Sequence, residues 1–487
     1  MKNTISTATL MLLINLVSFG QVKVWEKRIP LLNVDGITGL IDEKSGNVDL
    51  LFSSGLNVTP IQIDSVFDGY SSGWKTSLGN KVHLPKPLGS KDFLGQINNE
   101  EGLTLFYGNP TVSDIGYVSL DFKNKNSSSG SISFSLEDEK FAQSFSYQNE
   151  FYILTAVKNS NKMNLYVFHS ATDYEKQELD FSGITLLSPM DNIIDLYDFL
   201  KSESSGLIKL SVTMSLDAID QNLPISLSSI SNKANLYFSG ENVHITLDDR
   251  KKNTVVLSIS LRDYKTGFKQ FKFPDMDCKE FGNSTMNSFV FDDNLYQLSV
   301  CSAGLTVKIY DLESGSLVKS FYASEDDEIT FRNSDFFLEA TNSFWGERGK
   351  VIVGNETSKI LSKIRRGDAA IAVRKVDGAI EMKIGGYKVY QSSSPMGGGM
   401  PIGGGWSVGL TYKQTDERDY YFKTYLRPDS FEHIKSTRLS DDVQQIIGKV
   451  KAKEKFKNGT ETIFSNGIDT YWAFYHQASL TLHLYKL

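Results

Sequence analysis

The sequence predicts an all-β fold made of repeated four-stranded sheets, and three observations carry the prediction. Aromatic and β-branched residues alternate with polar ones in short runs separated by Asn, Asp, Gly and Ser, which is the pattern of strands joined by tight turns. Helical periodicity is scarce across the 487 residues. The same strand-and-turn arrangement returns at intervals of about 40 to 50 residues, the spacing of a β-propeller blade. A single four-stranded sheet cannot bury both of its faces, whereas a ring of them buries each against its neighbours. The expectation is a β-propeller of six to eight four-stranded blades, seven favoured, with two short inserted helices. It forms one domain over residues 21–487.

The chain opens with "MKNTISTATLMLLINLVSFGQ". One basic residue, Lys2, precedes an apolar run and then small residues before Gln21, the form of a secretory signal peptide over residues 1–20. The apolar run is too short to span a bilayer, and no later segment reaches about 18 apolar residues. No cysteine stands near the expected cut to take a lipid anchor. The formal charge of −7 comes without a long basic block, which argues against nucleic acid or anionic lipid as the main partner.

Blade grammar begins with "EGLTLFYGNPTVSDIGYVSLDF" from Glu101 and is clear in "FSYQNEFYILTAVKNSNKMNLYVFHSATDYEKQELDF", Phe145 to Phe181. "SPMDNIIDLYDFLKSE" from Ser188 departs from it. Ile193, Ile194, Tyr197 and Leu200 fall on one helical face there, with Asp191 as N-cap, so an inserted helix is expected near 188–203. The grammar resumes in Leu236 to Phe273 and again in Phe291 to Ser324. In the latter, Leu295, Leu298 and Val300 mark one strand, Leu305, Val307 and Ile309 the next, and Leu317, Val318 and Phe321 a third. Turn-forming residues such as Asp292-Asp293-Asn294 separate them. "GDAAIAVRKVDGAIEMKI" from Gly367 is a fainter copy. "LSDDVQQIIGKVKAKEKF" from Leu439 is the second expected helix, an insertion near 439–456 whose apolar face, with Ile446 and Ile447, is covered by the propeller itself in one reading and binds a partner in the other. Its acidic start and basic end complement the helix dipole. The last copy runs from Phe464 to Leu487; its final strand pairs with "QVKVWEKRIPLL" and so removes two open edges in one reading, and in the other the two ends finish separate blades.

Chemistry-bearing patterns are few. The six histidines form no HxH or HxxxH pair of the kind that announces a metal site. The acidic stretch Glu325 to Glu328 reads as a solvated turn, with a structural calcium as the alternative. Neither a G-x-S-x-G nucleophile elbow nor a sialidase-type S-x-D-x-G-x-T-W box occurs. The five tryptophans stand in unlike contexts. No catalytic residue, cofactor or metal ligand is assigned. Cys278 and Cys301, the only two cysteines, form a disulfide in one reading and are buried free thiols in the other.

The most unusual stretch is "SSSPMGGGMPIGGGWSVGL", Ser392 to Leu410. Two triple-glycine runs bracket Met400-Pro401-Ile402, and Trp406 follows. One reading is a flexible hairpin tip. The other is a finger whose Met396, Met400, Ile402 and Trp406 enter an apolar cavity of a partner, since soft and aromatic side chains suit interfaces.

"IYDLESGSLVKSF" resembles the outer hairpin of many propeller families. The leader, the Asn-, Ser-, Lys- and aromatic-rich composition and the cut before Gln21 resemble Bacteroidota envelope proteins. The missing catalytic motifs, the inserted helices and the glycine-rich finger point to a secreted β-propeller without catalytic activity that binds another protein. A specific version is an accessory or plug subunit of an outer-membrane secretion or assembly machine. Cargo of type 9 secretion in that setting usually carries a dedicated C-terminal sorting domain. Here "ASLTLHLYKL" reads as blade strand, which favours the periplasm over the cell surface. The alternatives are a glycan hydrolase or lyase using carboxylates at the central mouth, or a carbohydrate-binding scaffold.

Overall fold

A computed structural model of the chain describes residues 22–487 except 42–47, 55–56, 68–71, 79–81, 84–91, 100–101, 109–113, 122–123, 125, 134–135, 189, 203–215, 222, 224, 250–252, 274–283, 341–349, 396–410, 436–442, 455, 457–458 and 466–469. The expected signal peptide therefore lies outside the described residues. The fold is a β-propeller. Among the described residues seven sheets of four or five strands follow one another along the chain, and no sheet takes a strand from its neighbours in sequence. They span 36–83, 92–133, 139–180, 217–272, 285–324 and 337–426, and a last sheet joins 459–486 to Val22–Arg28.

Strand by strand, the reason for this arrangement is two-sided burial. In Glu150–Val157, Phe151 and Ile153 pack with Phe106 and Phe168 on the side of the preceding sheet. Tyr152 and Leu154 face the other way and pack with Leu236, Val243 and Ile245 of the following sheet. A strand buried on both faces reads as a continuous apolar run rather than an alternating one. The outermost strands show the opposite: Asn126–Ser133 is mostly exposed, as are Tyr174–Asp180 and Thr266–Lys272.

The innermost strands are joined across sheet boundaries by polar side chains. The Ser144 hydroxyl donates to the Leu94 carbonyl (2.8 Å), and the Gln96 amide donates to Ser146 Oγ (2.7 Å). Gln143 Nε2 donates to the Leu216 carbonyl (2.7 Å). The amides of Ala369 and Ile371 donate to Thr285 Oγ1 (2.9 Å) and Asn287 Oδ1 (3.1 Å). These bonds supply partners for edge groups that no ladder reaches, and such groups are costly when buried unpaired.

Sharp reversals are encoded locally. Gln148 and Asn149 have φ of 49° and 66°, and Asp292 and Asp293 have 49° and 56°. Each pair is the two-residue link between the first and second strands of its sheet. Positive φ at both central positions is the hairpin turn that matches strand twist, and Asn and Asp tolerate it best after Gly.

Val22–Arg28 pairs antiparallel with Thr481–Lys486, so the first described strand completes the last sheet. Tyr475 ties the same junction by donating its hydroxyl to the Ile29 carbonyl (2.8 Å).

Four helices occur among the described residues where the sequence predicts two: α1 (Leu196–Ser202), α2 (Leu227–Ile230), α3 (Thr357–Arg365) and α4 (Val443–Glu454). The first expected helix needs correction. Ile193–Ile194 pairs with Leu186–Leu187 as a small hairpin, and Asp191 sits in its turn with φ of 61°. The cap of α1 is Asp195, whose Oδ1 accepts from the Asp198 amide (2.8 Å). The Ser188 hydroxyl accepts from the Asn192 amide (3.2 Å) and fixes the hairpin, which removes Ile193 and Ile194 from the helix.

Candidate functional site: a β-ribbon arm and its base

The 337–426 sheet departs most from the repeat. Asp368–Val376 turns at Asp377-Gly378 into Ala379–Pro395, a 17-residue strand, which pairs with the 16-residue Thr411–Leu426. On one side the ladder with Asp368–Val376 ends at Asp368 with Tyr387. On the other, the ladder with Phe337–Ala340 ends at Ala340 with Arg418. The two long strands continue past both limits through seven further pairs, from Val389 with Glu417 to Pro395 with Thr411. At about 3.3 Å per residue the ribbon extends about 23 Å past the last pairs that the described residues of the neighbouring strands make with it. Val389, at its start, is 41% exposed.

A glycine marks the base of the ribbon. A Cβ on Gly385 would lie 1.9 Å from the Tyr420 carbonyl oxygen, so only glycine permits the strands to approach this closely there. The expected finger residues Met396, Met400, Ile402 and Trp406 all lie outside the described residues. What the structure supplies is their mounting, a paired ribbon rather than a loop.

Beneath the ribbon, alternate residues sort charge to one face and apolar groups to the other. Ile380, Met382 and Ile384 are buried in the core shared with Leu298 and Val307. Glu381 faces the opposite way and is only 3% exposed. Its Oε1 accepts from Arg374 Nε (2.8 Å), while Oε2 accepts from Lys423 Nζ (3.0 Å) and from the Tyr425 hydroxyl (2.6 Å). Burial pushes the Glu381 carboxyl up, but Arg374, Lys423 and the Tyr425 hydrogen bond outweigh it and hold the group at about 2. Further along the same face Lys383 lies 3.6 Å from Asp419 and 4.0 Å from the centre of the Tyr421 ring. Asp419 Oδ2 also accepts from the Leu227 amide of α2 (3.3 Å).

Other deeply buried carboxylates likewise hold strands and turns. Asp248 Oδ1 accepts from Thr254 Oγ1 (2.6 Å) and from Ser288 Oγ of the next sheet (2.8 Å). Burial pushes its carboxyl up. Asp249 accepts from the backbone and side chain of Asn253 (2.8 and 3.1 Å). Among the described residues no group of three or more His, Cys, Asp or Glu is arranged to hold a metal ion. In the acidic Glu325 to Glu328 turn, Asp327 accepts from the Ser324 hydroxyl (2.9 Å).

Of the other sequence-predicted residues, Ile447 is 3% exposed and packs with Val450, Trp472, Phe474 and Tyr485. This face of α4 is covered by the protein's own closing sheet, and Ile446 beside it is half-buried. Cys301 is disulfide-bonded and 1% exposed; the only other cysteine, Cys278, lies outside the described residues. The Arg374, Glu381 and Lys423 cluster was not singled out from sequence. Its signal was a set of charges at alternate positions in otherwise apolar strands.

No protein-family model matches the chain, and neither does any curated protein. Among solved structures it is similar to the WD40 domain of SCAP from fission yeast, at 9% identity over 95% of this chain and 94% of that one, with a TM-score of 0.31. The β-propeller domain of Cps50 (Swd1) from Myceliophteria thermophila aligns at 7% identity over 95% of this chain and all of that one, with a TM-score of 0.29. A prolyl endopeptidase aligns at 8% identity over 90% of this chain, with a TM-score of 0.31; this chain spans 46% of its length.

Proposed function

We propose that this chain is a non-catalytic β-propeller of the cell envelope that binds another protein, with the ribbon arm as its recognition element. The observation that carries the reading is the seven-pair extension of Ala379–Pro395 and Thr411–Leu426 past the neighbouring strands among the described residues. A two-stranded ribbon standing alone in water is marginally stable, and its open edges are templates for pairing. A partner that covers the ribbon, by strand addition or by taking up its glycine-rich tip, supplies what the sheet does not. The buried carboxylates of Glu381, Asp249 and Asp419 support a non-catalytic role, because they are engaged with cations, hydroxyls or amides of the fold.

The signal-like N-terminus and the disulfide at Cys301 support an oxidising compartment, and we place the protein in the periplasm. The specific form of the proposal is an accessory subunit of an outer-membrane secretion or assembly machine. The test is excision of the arm. Residues 389–417 are replaced by Asn-Gly, which joins Lys388 to Arg418 through a two-residue turn, and partner capture is compared with that of the full chain.

A further inference from the structure

A cavity lies on the same sheet, beside the base of the arm, where Gly367 packs on Tyr387 and Lys388. Helix α3 buries Thr357, Ile360, Leu361 and Ile364, so helical spacing turns Ser358, Ser362, Lys359 and Lys363 away from the core. These four side chains, together with Arg366 just past the helix and with Val353 and Phe336, line a 270 Å³ cavity. Phe336 is 1% exposed and fixed in place by the core.

The charges of this lining are unbalanced. Lys359 pairs with Glu356 at 2.9 Å. Among the described residues no carboxylate comes within ion-pair distance of Lys363 or Arg366; Lys363 Nζ instead stands 5.6 Å from the centre of the Tyr420 ring. The end of a helix carries about half a negative elementary charge, which offsets only part of two cations. Among the described lining residues the balance is positive, with two hydroxyls beside it.

We infer that this cavity binds a small organic anion of sugar size, a sugar acid or sugar phosphate. Its anionic group sits between Lys363 and Arg366, its hydroxyls meet Ser358 and Ser362, and its apolar face lies toward Val353. The volume falls just below the roughly 300 to 1,000 Å³ of pockets for drug-sized ligands, which suits a single ring. A carboxylate and a phosphate satisfy the same two cations, and the measurement separates them.

The test is calorimetric titration of the full chain with glucuronate, inorganic phosphate and neutral glucose. Saturable binding of glucuronate or phosphate is expected, weaker at high salt because the contact is electrostatic, and at least tenfold stronger than that of glucose. The better of the two anions identifies the charged group. Lys363→Gln with Arg366→Gln should weaken it at least tenfold. Lys272→Gln with Lys319→Gln, on outer strands of neighbouring sheets, should leave it unchanged, and circular dichroism checks that both variants are folded. The inference is overturned if neither anion saturates, if glucose binds equally well, or if both double variants behave alike.

Discussion

Glu381 ties three strands together at the base of the arm through Arg374, Lys423 and Tyr425. Its folded pKa of about 2 lies below the ordinary glutamate value of about 4.3. A depressed carboxylate stabilises the fold above its unfolded pKa, and that contribution is lost as pH falls toward the folded one. A gap of about two units corresponds to about 3 kcal/mol at neutral pH. Glu381→Gln should therefore lower stability at pH 7, flatten its decline between pH 4 and 2, and converge with the parent near pH 2; denaturant melts across this range measure it. Glu381→Ala should cost about 3 to 5 kcal/mol, because it leaves the Lys423 ammonium buried without its carboxylate. Turn residues such as Asp292-Asp293 were readable in the sequence because their backbone requirement is local. The Glu381 cluster was not, because it takes register across three strands to bring Arg374, Glu381 and Lys423 together.

Among the elements, α4 and the ribbon show what periodicity can and cannot establish. The helical spacing of Ile446, Ile447 and Val450 correctly marks an apolar face, but spacing does not say what covers it. In the structure Trp472, Phe474 and Tyr485 do. Ile447→Ala should thus cost about 2 to 5 kcal/mol as a core truncation, and Ile446→Ala, at a half-buried position, clearly less; thermal melts of the two variants distinguish them. Helix α3 was missed although Ile360, Leu361 and Ile364 have helical spacing, because nine residues between strands give a weak periodic signal. The glycine-rich tip drew notice as an anomaly of composition. The ribbon beneath it did not, since its length is defined by where the neighbouring strands stop.

For the whole molecule, the repeat legible in the sequence is the one that builds the propeller, with sheets buried on both faces and outer strands exposed. Closure adds the pairing of Val22–Arg28 with Thr481–Lys486. Removing residues 22–28 should lower the melting temperature and open the Thr481–Lys486 edge, so that the protein associates with rising concentration; light scattering coupled to size exclusion reads this directly. The proposed recognition element, the arm, is a departure from that repeat. The most direct measurement is affinity capture from the native envelope with the full chain and with the chain lacking residues 389–417, at matched melting temperature. The arm-binding reading predicts a protein recovered by the full chain and reduced at least tenfold without the arm. Equal recovery by the two chains would contradict it.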